Sequence, residues 1–331
     1  MAGRRQKKSG GRSYAWRYRG RIVACVFVEV IIICALVIMI GWNKGVKEWF
    51  EQFEQPVLKE VDISGINSPN AILMQARGGK ILGEINGEAQ IYPASMTKIM
   101  TVILGIENFD DLDEKITLTN EMFTGLYEQD ATQAGFQPGE EVRVIDLLYG
   151  AMLPSGAECC IALADTISGS EADFAELMNK KARKLGMENT NFCDSTGLHN
   201  PDHYSTVKDI AVLMKYCIKN DTFREIVETS RHSTGVTNIH PDGITYYSTM
   251  FKNLSDPTVT GGKILGGKTG YTSEAGHCLV SFAEIEGREY IFVSAGASGA
   301  DGNTIPHIQD AVTVYNRVGA AIEAKMNNNN K

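Results

Sequence analysis

Strand-forming stretches stand at both ends of the larger part of this chain, and a long helix-forming stretch separates them. Residues 71–76 and 80–82, around Gly78-Gly79, read as a strand, a turn and a strand. Residues 263–270, 278–285 and 289–295, with a turn at Glu286-Gly287, read as consecutive antiparallel strands. Isolated strands leave backbone groups unpaired, so the two ends are expected to meet in one sheet. The stretch over about residues 110–225 then becomes an α-helical region inserted between them. Within it, residues 144–153 form an apolar helix stopped by Pro154-Ser155-Gly156, and a second helix follows over 157–167. Ser170 with Asp173 caps a third, and Thr206 with Asp209 caps another over 207–218. A helix over 306–324 and a polar tail over 327–331 end the chain. The expected fold class is α+β, a sheet part plus an all-α part.

Ahead of this domain, expected over 61–326, the charge is unevenly spread. The first 21 residues hold eight Arg or Lys and no acid, so with a chain net charge of -8 the remainder carries -16. Residues 22–42 then form an apolar run broken only by Glu29, matching the ~20 residues that a membrane-crossing helix needs. By the positive-inside rule the basic flank stays cytoplasmic and everything after Trp42 is delivered outside. The expected plan is a cytoplasmic tail over 1–21, a single-pass anchor over 22–42 and an amphipathic stalk over 43–60 carrying Trp49, Phe50 and Phe53. A cleaved signal peptide is the rival reading; its apolar core would be shorter, and no small-x-small site stands at the outer end. The acidic outer part has no basic run, which argues against nucleic acid as a partner. Cys159, Cys160, Cys193, Cys217 and Cys278 match no zinc or disulfide spacing and are expected as buried free thiols.

Chemistry enters at Tyr92-Pro93-Ala94-Ser95-Met96-Thr97-Lys98, which reads as a serine opening a buried helix. The free N–H groups of a helix start favour an oxyanion there. Lys98, three residues on, shares a helix face with Ser95 and can serve as its base if burial lowers its pKa. The pair alone is weak evidence. Ser205-Thr206-Val207-Lys208 has the same spacing and reads only as a helix start.

Partners follow in order: Ser155-Gly156-Ala157, then Lys268-Thr269-Gly270. With Ser95-Met96-Thr97-Lys98 they resemble the Ser-x-x-Lys, Ser-Asp-Asn and Lys-Thr-Gly trio of penicillin-binding proteins and class A β-lactamases. Asp146-Leu147-Leu148-Tyr149-Gly150, Thr196-Gly197-Leu198, His203-Tyr204-Ser205-Thr206 and Gly266-Gly267-Lys268-Thr269-Gly270-Tyr271-Thr272 extend the likeness. The chain thus resembles the low-molecular-mass penicillin-binding proteins, the D-alanyl-D-alanine carboxypeptidases of serine peptidase family S11. The resemblance implies a DD-peptidase or serine β-lactamase-like fold, and an enzyme that removes the terminal D-alanine of peptidoglycan stem peptides through an acyl-enzyme. It implies β-lactams as acylating inhibitors, and no metal or cofactor. By the same resemblance Ser95 is the nucleophile, Lys98 its base and Ser155 the proton relay to the leaving amine. Lys268, Thr269, Gly270 and Tyr271 would bind substrate, Lys268 at its carboxylate and the Tyr271 N–H with that of Ser95 as the oxyanion hole.

Two departures stand out. Ala157 occupies the usual Asn position, and a methyl cannot make the hydrogen bond to the substrate amide, a loss of roughly 0.5–1.5 kcal/mol. Glu158 and Gln133 are the candidates to stand in. No arginine appears near the end of the last strand, where some relatives bind the carboxylate. The β-rich C-terminal domain of many relatives is not recognisable after the last helix, so the N-terminal span is expected to anchor the protein. Two other readings remain: a weakly active or non-catalytic wall-peptide-binding protein marked by Ala157, and a β-lactamase, for which no Glu-containing loop presents itself. His199, Asp202 and His203 mimic a metal set, but Pro201 breaks any helical face, so a loop-structural role is expected. His277 is expected as a strand residue and Cys159-Cys160 as core.

Overall fold

The computed structural model describes residues 58–254, 256–299 and 305–329. The expected cytoplasmic tail, membrane span and most of the stalk lie outside these residues. Among the described residues, no helix is long and apolar enough to cross a membrane.

The chain opens with β1 (Asn70–Gln75) and β2 (Ile81–Ile85), then α1 (Lys98–Asn108), β3 (Lys115–Thr117) and β4 (Glu141–Arg143). The helices α2 (Val144–Met152), α3 (Ala157–Ser168), α4 (Glu171–Leu185), α5 (Val207–Cys217) and α6 (Asp221–Glu228) follow. Next come β5 (Arg231–Ser233), β6 (Thr245–Tyr247), α7 (Thr249–Asn253) and β7 (Thr258–Val259). The long strands β8 (Gly262–Thr272), β9 (Gly276–Ile285) and β10 (Arg288–Ala297) precede the closing helix α8 (Pro306–Asn329).

Both ends do build one sheet, in the order β2-β1-β10-β9-β8-β7. β1 runs antiparallel to β10 from Asn70 opposite Ala295 to Gln75 opposite Tyr290, so a strand from each end is joined across most of the chain. Side chains alternate across a strand, and here both faces are covered. Ile72, Met74, Val280, Phe282, Ile291 and Val293 pack towards the helical region. Leu73, Leu279, Phe292 and Tyr290 pack instead with Val314, Tyr315 and Val318 of α8. All of these are buried, each contributing about 1.5–3 kcal/mol where the side chain is fully enclosed.

The helix caps at Ser170 and Thr206 form as expected, each side chain accepting from the N–H three residues on. Elsewhere the structure differs. The region after Thr119 begins with a short 3-10 turn, Asn120–Phe123, and irregular chain rather than helix. Two small ribbons, β3 with β4 and β5 with β6, were not legible, because three-residue strands carry no alternation and are set by distant partners. The closing helix continues through Asn329, into the expected tail, since propagation adds one hydrogen bond per residue even for poor helix formers. The domain also starts before 61: Leu58 is buried in the α8-side core, and its carbonyl accepts from Lys80 Nζ at 2.7 Å.

Asp310 of α8 ties the two ends together beside the sheet. Its Oδ1 accepts from the Asn67 N–H at 2.8 Å and Nδ2 at 2.7 Å, and its Oδ2 from the Ser68 N–H at 2.9 Å and Oγ at 2.6 Å. Ser68 and Asp310 are both buried. Asp310→Ala strands these donors and is expected to lower the unfolding free energy by roughly 3 kcal/mol. A urea titration checks this; a loss under about 1 kcal/mol would mean that packing alone joins the ends.

Candidate active site

Ser95 sits in a 3-10 turn, Ala94–Thr97, that runs directly into α1, rather than in the first turn of an α-helix. Pro93 precedes it, and Ala94 adopts a φ of 47°, a left-handed conformation that costs a non-glycine residue of order 1–3 kcal/mol. Burial of α1 from Lys98 to Gly105 carries Lys98 inward to 3% exposure. Its Nζ lies 3.0 Å from Ser95 Oγ and donates to the Thr196 carbonyl at 2.6 Å. Burial lowers the Lys98 pKa, opposed by the nearby Cys160, Asp194 and Glu158.

Lys268, on β8, is buried to 1% exposure, and its Nζ donates to the Thr269 carbonyl at 3.0 Å. Burial drives its pKa well down, and the charge of Lys98 adds to the effect. Burial is the first cause at both lysines, and their like charges disfavour protonating both together. The pair resists carrying two protons at once.

The strand carrying Lys268 passes against the nucleophile turn. A Cβ on Gly270 would stand 3.0 Å from the Ser95 N and 3.1 Å from the Ala94 Cβ, so any side chain there would crowd the serine turn. Thr269 Oγ1 pairs with Thr249 Oγ1 at 2.7 Å, which fixes its side chain. Tyr271, next along the strand and opposite His277, is 60% exposed.

Ser155 lies in the turn between α2 and α3, nearly buried, with a φ of 72°. Its hydroxyl makes no hydrogen bond to another described residue, so it is placed by the backbone alone. The helix it precedes faces both lysines: Cys160 interacts electrostatically with each, and its thiol pKa is pushed up to about 12 by burial. Cys159 and Cys160 are core, as expected, and the five described cysteines are free, four of them buried and Cys193, in the polar 193–204 loop, only partly so. Glu158 is not available to replace the missing Asn. It is fully buried, and its Oε1 accepts from the Ala134 and Gly135 N–H groups at 2.7 and 2.9 Å.

The loop over 193–204 supplies what sequence reasoning missed. Asp194 Oδ1 accepts from the Thr196 N–H, the Thr196 hydroxyl and the Gly197 N–H, each at 2.7 Å. Its Oδ2 lies 3.1 Å from His203 Nδ1, and His203 Nε2 lies 2.9 Å from Thr97 Oγ1. Burial raises the Asp194 pKa, but the hydrogen bonds from His203 and Thr196 outweigh it and hold the carboxyl at about 2. The line Asp194–His203–Thr97 thus fastens the loop that offers the Thr196 carbonyl to the turn that carries Ser95. His203 has the loop-structural role expected of it, and His199 stacks edge-on against Tyr92 at 4.8 Å. The Asp194 carboxylate had no periodic signal; only the Thr196-Gly197-Leu198 match pointed to its loop.

A serine and a buried lysine in hydrogen-bond reach, with a second lysine on the adjoining strand, are the groups that active-serine acyl transfer uses, here on a mixed sheet-and-helix fold. The D-alanyl-D-alanine carboxypeptidase family model, peptidase S11, matches residues 57–299, and the chain belongs to that family. It is 35% identical over 233 residues to the D-alanyl-D-alanine carboxypeptidase DacF of Bacillus subtilis, covering 69% of this chain and 57% of that one. It is 34% identical over 236 residues to the D-alanyl-D-alanine carboxypeptidase of Streptomyces sp. strain K15, covering 69% and 78%. The crystal structure of the Streptomyces K15 DD-transpeptidase superposes with a TM-score of 0.69 at 28% identity, covering 79% of this chain and all of that one. The chain spans a little over half the length of the Bacillus relative.

Gly197 has a φ of 79°, and a Cβ there would meet the Ala94 carbonyl oxygen at 1.9 Å. Gly197→Ala must therefore push the nucleophile turn aside. A displacement near 1 Å is worth about 100-fold in rate, so labelling of Ser95 by a fluorescent penicillin is expected to fall by that order, measured against circular dichroism to confirm folding. Parent-level labelling would show that the turn yields without moving Ser95.

Proposed function

We propose that this protein is a membrane-anchored serine D-Ala-D-Ala carboxypeptidase that removes the terminal D-alanine of peptidoglycan stem peptides. The observation that carries the reading is the 3.0 Å approach of the buried Lys98 amine to Ser95 Oγ. A lysine so enclosed favours its neutral form, which is the form that can accept a proton. Delivery of the domain to the outer face of the membrane is part of the proposal. The eight basic residues ahead of the apolar run over 22–42 support it.

The reaction begins with the substrate carboxylate meeting the amine of Lys268. Its negative charge favours a proton on Lys268, and the pair's reluctance to hold two protons then leaves Lys98 neutral. Ser95 Oγ attacks the carbonyl of the penultimate D-alanine while Lys98 takes the hydroxyl proton. The developing oxyanion is met by the N–H groups of Ser95 and Tyr271; the close packing of Gly270, the residue before Tyr271, on the Ser95 backbone supports this. The C–N bond breaks, the proton passes through Ser155 to the leaving amine, and D-alanine departs. Water then attacks the acyl-enzyme and returns Ser95 to its starting state. A β-lactam enters by the same first step.

Ala157 favours one second reading, a slow or inactive wall-peptide-binding protein, because the contact its methyl omits lies on the acyl side of the scissile bond. Incubating the protein with a pentapeptide ending in D-Ala-D-Ala separates the two. Released D-alanine that disappears in Ser95→Ala is the expected result; peptide binding with no release would leave only the binding protein. Lys98→Arg keeps the charge but cannot give up its proton, and is expected to slow acylation by about 100-fold or more. The acylation rate should rise with pH as Lys98 loses its proton, with the rise complete below the range of a solvated lysine. It should fall again once the pair has lost its second proton. A rate that is flat from pH 5 to about 11 would remove both lysines from the mechanism.

A further inference from the structure

The missing carboxamide at position 157 leaves a gap in the expected substrate contacts, and the segment packed against Ala157 carries a glutamine. Ala157 is buried to 1% exposure, covered by the segment over 132–135. The Thr132 carbonyl accepts the Ala157 N–H at 2.8 Å. On the other side, Ala134 and Gly135 donate to Glu158 Oε1 at 2.7 and 2.9 Å. Gly156 makes the contact that close, since a Cβ there would stand 2.7 Å from the Ala134 Cβ. Phe136 anchors the far end of the segment, buried and edge-on to Tyr246 at a centroid distance of 6.1 Å. Gln133 is therefore clamped between two residues bonded to the head of α3, and is itself exposed.

A carboxamide carried by that segment has hydrogen-bond donors and an acceptor free for a ligand, on backbone that packs against the Ser155-Gly156-Ala157 turn. It springs from the covering segment and not from the helix, and the extra methylene of glutamine over asparagine suits that more distant origin. Glu158, the other nearby group, is removed by its burial and its two backbone donors.

We propose that Gln133 is a substrate-binding residue whose side chain hydrogen-bonds the amide on the acyl side of the scissile bond, the contact that Ala157 cannot make. The inference rests on the DD-peptidase reading above. Because the contact is to an acylamino group, its loss is visible only with ligands that carry one. The test compares acylation of the full protein and of Gln133→Leu by benzylpenicillin, which has a side-chain amide, and by 6-aminopenicillanic acid, which has none. Gln133→Leu is expected to slow the first by roughly three- to tenfold and leave the second unchanged, with an unaltered melting midpoint. Gln133→Asn, which keeps the carboxamide, should retain more of the benzylpenicillin rate than the leucine variant. Equal losses with both ligands, or no loss with either, would overturn the assignment while leaving the acyl-transfer site intact. Failure of the parent protein to be acylated by either ligand would instead sink the DD-peptidase reading, and this inference with it.

Discussion

An amine at 3% exposure, held between a serine hydroxyl and a backbone carbonyl, is the demand that the rest of this structure meets. Removing an ammonium from water is expensive unless its charge is compensated or given up. Among the described residues the hydrogen-bond partners of Lys98 are uncharged, and burial outweighs the nearby acids in lowering its pKa. The surrounding elements follow from that. Helix α1 is buried from Lys98 to Gly105 because it crosses the core, and the carbonyl of Thr196 must be presented at a fixed distance. Asp194 and His203 do this by locking their loop to Thr97, within the same turn as the serine.

Close backbone approach is the second requirement, and glycine meets it at each contact. Gly197 lies against the Ala94 carbonyl, Gly270 against the Ser95 backbone, and Gly156 against Ala134. Two of the five non-glycine residues with positive φ among the described residues fall in the same places, Ala94 just before Ser95 and Ser155 itself. Such strain persists only where the surrounding contacts over-determine the backbone, and here those contacts join the sheet, the helical region and the 193–204 loop.

Legibility followed the range of the interaction. Helix caps at Ser170 and Thr206, and the three long strands, rest on neighbours a few residues apart and could be read directly. Ser95 and Lys98 were readable for the same reason, being three residues apart with a surrounding apolar pattern. Asp194 was not, because a carboxylate in a polar loop looks like any other until its partners close around it. Glu158 was misjudged in the opposite sense: next to Ala157 in sequence, it was a candidate for the substrate, yet its side chain binds the loop over 134–135.

The order of the motifs, the alternation of the strands and the serine–lysine spacing are properties of the chain alone, and they determined the family and the outline of the fold. What only the tertiary structure decided is the state of the groups in the site. The pKa of Lys98 is lowered by burial beneath segments that lie as far as 98 residues away, and the pairing of Lys268 with it depends on a strand from the other end of the chain. Desolvation and close approach depend on what encloses a residue. No local pattern specifies that enclosure until the two ends of the chain have closed into one sheet.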